Sequence, residues 1–86
     1  MSVPLLLERS LVGVGPQVPI KDEYDVLVVE GLAEGCLVEV NTGTARHIVR
    51  ENGRIDIRPT AKGMVAQAKL EGCGSKVHVW LEKSNG

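Results

Sequence analysis

Apolar and polar side chains alternate in short runs along the chain, and glycines stand between the runs. In KVHVWLE, residues 76–82, Val77, Val79 and Leu81 point one way and Lys76, His78, Trp80 and Glu82 the other, the period of a strand half buried against a core. CLVEVN divides likewise into Cys36, Val38 and Val40 against Leu37, Glu39 and Asn41. MVAQAKL sets Met64, Ala66, Ala68 and Leu70 against Val65, Gln67 and Lys69. DVLVVE is apolar on both faces, which suits a central strand covered from two sides.

RHIVRENGRIDIR predicts a hairpin, because Asn52-Gly53 supplies the two positive-φ positions of a type I′ turn. Arg50 then opposes Ile55 and Ile48 opposes Ile57. One face gathers Ile48, Ile55 and Ile57, with Arg50 at the tip; the other gathers His47, Glu51, Arg54, Asp56 and Arg58 beside Val49. Arginines at 46, 50, 54 and 58 have a helix-like spacing, but the Asn-Gly pair and the β-branched neighbours oppose a helix, and on the hairpin no basic stripe forms. LEGCGSKVHVWLE reads as two strands joined by a reversal at Gly72-Cys73-Gly74-Ser75.

Pro4, Pro16 and Pro19 cannot donate to a sheet ladder, so residues 1–20 are expected as an extended arm or edge strands laid on a body formed by residues 21–86. KDEYD, EGLAEG and PTAKG are the connections. About six to eight short strands without a long helix predict a single all-β domain, a sandwich of antiparallel strands whose weakness is its open edges.

With 86 residues the core is modest and a large internal cavity is not expected. The apolar fraction of 43% is almost wholly aliphatic, with one Trp, one Tyr and no Phe, so stability comes from many small contacts. Ten basic and eleven acidic side chains give a net charge of −1, which removes the general electrostatic case for nucleic acid or a membrane surface as partner. The start, MSVPLLLERS, lacks a basic region, and Glu8 and Arg9 interrupt its apolar run, so neither a signal peptide nor a membrane span is expected.

Candidate chemistry is sparse. His78 follows Cys73 by five residues along a strand, roughly 16 Å at about 3.3 Å per residue, too far for a local thiol-imidazole pair. Cys36, Cys73, His47 and His78 are zinc-ligand types without the close pairs that such sites use. The thiols are expected free and buried as small hydrophobes, with a Cys36–Cys73 disulfide as the alternative. No catalytic residue, cofactor or metal ligand is expected. Trp80 faces away from Val77, Val79 and Leu81, so it either covers the second face of its sheet or meets a partner.

From residue 25 to 82 the order of motifs resembles small tailed-bacteriophage virion proteins with an immunoglobulin-like β-sandwich. The matching pieces are DVLVVEGLAEGCLVEV with its G-x-x-x-G turn, RENGRIDIRPTAKGMVAQAKLEG with its P-x-x-x-G turn, and GSKVHVWLE. The chain departs from that pattern in carrying Ile55 and Ile57 where an aromatic is usual, and residues 1–20 match nothing in it. The resemblance implies a non-enzymatic structural virion protein, made in the host cytoplasm: a capsid decoration or cement protein bound to the major capsid protein or another virion protein, or a small connector or tail module. Its N-terminal arm and sheet edges would make the contact. Leu5, Leu6, Leu7, Leu11, Val12 and Trp80 are the partner-binding candidates, with a homo-oligomer as a further expectation. The alternative is a small phage-encoded binding or inhibitor module acting on a host protein.

Overall fold

The computed structural model describes residues 2–9, 13–15, 17–43, 45–71 and 77–84, with the backbone alone for 2–9 and 13–14. Among these residues there is no helix, and nine strands form two antiparallel sheets: the all-β sandwich that the alternation predicts. The strands are β1 (Ser2–Arg9), β2 (Gly13–Val14), β3 (Val18–Pro19), β4 (Val26–Glu30), β5 (Leu37–Thr42), β6 (Ala45–Val49), β7 (Gly53–Asp56), β8 (Val65–Glu71) and β9 (Val77–Glu82).

One sheet has the order β1-β9-β4-β7; in the other, β2 and β3 both lie on β8, followed by β5 and β6. Gly13 and Val14 pair with Leu70 and Lys69, and Val18 and Pro19 with Ala66 and Val65, so β2 and β3 are one interrupted edge strand. An edge is where a proline is tolerated. Counted together they give the order 1-8-3-6 over 2-7-4-5, the arrangement of a jelly roll. It arises from a single long antiparallel ribbon in which β1 pairs with β9, β2/β3 with β8, β4 with β7 and β5 with β6. Rolling that ribbon brings β4 against β9 and β5 against β8.

The core lies between the layers. Leu27, Val29, Val38, Val40, Ala66, Ala68, Leu70, Val77, Val79 and Leu81 are buried there, on the faces that the sequence period assigns. Each Val or Leu taken from water contributes about 1.5–3 kcal/mol. β4 is a central strand buried on both sides, with Val26 and Val28 turned away from the core and still covered.

The ribbon stays paired where it crosses between layers. Ile57 donates to Asp25 O, Thr60 N–H to Tyr24 O and Gly63 N–H to Ile20 O, and Ile20 N–H to Met64 O. Residues 20–25 and 57–64 thus run side by side, and Ile20 and Tyr24 seal the core beneath them. Thr60 is buried in this crossing; its hydroxyl accepts from Tyr24 N–H at 2.9 Å and donates to Asp22 O at 3.0 Å.

Three expectations are corrected. β6 and β7 lie in different sheets, so 46–58 is not a hairpin, and the pairings of Arg50 with Ile55 and Ile48 with Ile57 do not form. Val38 and Val40 set the phase of β6 instead: Val49 sits opposite Val38 and is buried, whereas Ile48 is 48% exposed. The reversal that closes a hairpin is at Gly43, with φ of 67°, between β5 and β6. Likewise β8 and β9 belong to different sheets, so LEGCGSKVHVWLE bridges the layers; residues 72–76 lie outside the described residues. Finally, Cys36 is disulfide-bonded rather than a free thiol. Cys73, which lies outside the described residues, is the one other cysteine in the chain.

Candidate functional site

Four strands bound the sandwich: β1 and β2/β3 on the side of the N-terminus, β6 and β7 on the other. Strand edges carry backbone donors and acceptors that can pair with another chain, so their regularity decides what each can do.

On β6 the outward groups follow from the ladder. Gly43 N–H donates to Val65 O at 3.2 Å, continuing the β5 to β8 register, so the odd-numbered residues of β5 turn their backbone groups to β8 and the even-numbered ones to β6. Thr42, Val40 and Val38 therefore engage Ala45, His47 and Val49. Arg46 and Ile48 are left with N–H and C=O facing away from the sheet. The same reasoning from Ile57 N–H to Asp25 O leaves Arg54 and Asp56 outward on β7.

The corner between these two edges is held by Asn52. Its side-chain oxygen accepts from Leu32 N–H at 2.8 Å and its amide donates to Leu32 O at 3.0 Å, so a side chain continues the ribbon where backbone pairing lapses. A recess of about 460 Å3 beside it is lined by residues 48–55. Arg46, Arg50, Arg54 and Arg58 are all exposed along this side. Arg46 lies 3.7 Å from Glu39 and Arg54 2.7 Å from Glu82, while Arg50 and Arg58 have no ion pair among the described residues.

Trp80 lies on the outer face of the first sheet. It is half-buried opposite Val28, with Pro4 on its other side in β1. Its indole N–H donates to Glu82, which also accepts from Arg54. These two donors, the indole first, hold the Glu82 carboxyl below its ordinary value. Trp80, Glu82 and Arg54 share the face that carries Val26 and Val28, so Trp80 supplies cover for the second face of the sheet.

Leu5, Leu6 and Leu7 lie on β1, where Leu6 pairs with Val79 and the register shifts on both sides of Leu6. Leu11 and Val12 lie outside the described residues. Trp80 shares the β1–β9 ladder with Leu6. The Arg46–Ile48 edge was not singled out by the sequence pattern; the Thr-Gly-Thr turn at 42–44 was the available signal for it.

A polar recess of about 340 Å3 lies at the crossing, lined by Asp22, Glu23, Asp25, Pro59, Lys62 and Lys83. Lys83 bonds Asp22 at 2.9 Å, lowering that carboxyl and raising its own ammonium. Ser84 donates to Asp25 through N–H at 2.8 Å and hydroxyl at 2.5 Å, lowering Asp25 too. These bonds fasten the end of β9 to the 22–25 segment. Among the described residues no group of three or more His, Cys, Asp and Glu is placed to hold a metal ion.

Compared with protein-family models, curated proteins and solved structures, the chain matches none.

Proposed function

We propose that this chain is a non-enzymatic structural protein of a tailed-phage virion, a decoration or cement protein that binds the major capsid protein through its N-terminal segment and sheet edges. The observation that supports the reading most is that β1 supplies an edge to one layer and β2 and β3 an edge to the other. A partner surface laid against these strands touches both sheets of the sandwich without disturbing its core. Jelly rolls recur in viral capsids, which agrees with the reading by analogy of architecture. The turn glycines of residues 25–82 keep the motif order of the virion proteins that the sequence resembles, although the sheet order is a jelly roll rather than their immunoglobulin-like arrangement and 46–58 is not their middle hairpin.

The test is co-sedimentation of the purified chain with particles of the phage that encodes it. Saturable binding in fixed proportion to the capsid subunit is the expected result. A chain that stays in the supernatant, yet captures a defined host protein, moves the assignment to the inhibitor alternative.

A further inference from the structure

We propose that the β6 edge accepts an extended, acidic segment of a partner protein as an added strand. The four edges differ in their readiness for this. β1 has two register shifts along its ladder, and an irregular strand resists addition. The β2/β3 edge is broken into two-residue pieces and carries Pro19. β7 is four residues long, and its outward Arg54 is already engaged by Glu82. β6 is an unbroken strand paired residue for residue with β5, and Arg46 and Ile48 offer N–H and C=O to a fifth ladder position. Ile48, 48% exposed, adds an apolar contact next to those groups.

The chemistry of the occupant follows from charge. Residues 45–50 carry two arginines and no acid, in a chain whose net charge is −1. Arg50, just beyond the strand, is exposed and without an ion pair among the described residues. An incoming strand with Glu or Asp at alternate positions meets Arg50, and Arg46 beside its looser 3.7 Å contact with Glu39, while its backbone pairs with β6. A nucleic acid would satisfy the arginines but not the backbone ladder, and this edge has no aromatic side chain on which a base could stack. The competing view is that the arginines only discourage strand addition; the two views predict opposite results with an acidic strand.

The proposal rests on the reading of the chain as a docking protein, but its test uses the isolated full chain, so a negative particle experiment and a negative peptide experiment are separate results. An acetylated, amidated peptide of alternating glutamate and valine is titrated into isotope-labelled protein, with an alternating lysine and valine peptide and a single-stranded oligonucleotide as the other arms. The glutamate peptide is expected to shift the amides of residues 45–49 and to slow exchange of Arg46 and Ile48. Ile48→Pro removes an outward N–H that β5 does not use, and should weaken binding about tenfold or more. Arg50→Gln, outside the strand, should weaken it about threefold and leave the fold untouched. Shifts confined to β1 or β7, equal binding by the lysine peptide, preferred binding of the oligonucleotide, or no binding by the glutamate peptide would each overturn the proposal.

Discussion

Replacing Thr60 by Val isolates one buried hydroxyl at nearly constant volume. Thr60 is 3% exposed, and its Oγ1 serves the Tyr24 N–H and the Asp22 carbonyl. Valine keeps the side-chain shape and leaves both backbone groups without their partner. Stranding the Tyr24 N–H costs about 1–3 kcal/mol. The Asp22 carbonyl belongs to a half-buried residue that water reaches, so it contributes less. Extra apolar burial returns less than about 1 kcal/mol, leaving a net loss of about 2 kcal/mol. In a domain this small that lowers the thermal midpoint by roughly 10 °C. Thr60→Ser keeps both hydrogen bonds and gives up one methyl, a loss of about 1 kcal/mol. Hydrogen bonding therefore ranks Ser above Val, whereas burial alone ranks Val above Ser. Urea unfolding followed by the single tryptophan measures both midpoints, with an unchanged slope showing that the unfolded state is the same. Faster exchange of the Tyr24 amide in the valine variant locates the damage. A valine variant as stable as the serine variant would refute the reasoning.

Asn52→Ala removes both bonds to Leu32 and should cost about 1–2 kcal/mol in urea unfolding, with Asn52→Asp, which keeps the acceptor for Leu32 N–H, falling between. Glu82 has its carboxyl lowered from 4.5 in the folded state, so its contribution is complete above the unfolded value and disappears as pH falls through the folded one. Glu82→Gln should therefore narrow the drop in thermal midpoint between about pH 7 and about pH 3, and an unchanged drop would contradict the pairing with Trp80 and Arg54. Reduction of the Cys36 disulfide opens a loop of roughly 40 residues if Cys73 is its partner, and should destabilise the fold by about 4 kcal/mol. Equal urea midpoints with and without dithiothreitol would argue against that pairing.

The inner and outer faces of β5, β8 and β9 were legible because a strand with one buried side must alternate, and β4 because a strand covered on both sides cannot. The error at Asn52-Gly53 has a specific cause. A turn signal is local, whereas the choice between reversing within one sheet and crossing to the other is made by the pairing of the whole ribbon. Asn52 spends its amide on Leu32 rather than on a tight turn. Reading Asn52-Gly53 as a tight turn places Ile48 on the apolar face and Val49 among the charged side chains, which hides the open edge of β6, where Ile48 is exposed and Val49 buried. The outward face of Trp80 was readable from alternation; that it would cover rather than protrude depended on Val26 and Val28 needing a lid.

Because the ribbon closes on itself, Ser2 stands opposite Glu82, so the first and last strands meet at one corner. Tension applied between the termini therefore meets the β1 to β9 rungs one after another, as when a strip of tape is lifted from its end. Load entering instead through the Asn52 corner, beside the Val29–Gly53 rung at the far end of that sheet, and leaving by either terminus drags strands lengthwise past their neighbours, breaking many rungs together. The same small body is weak when peeled and strong when sheared, and the direction of attachment determines which of these it presents.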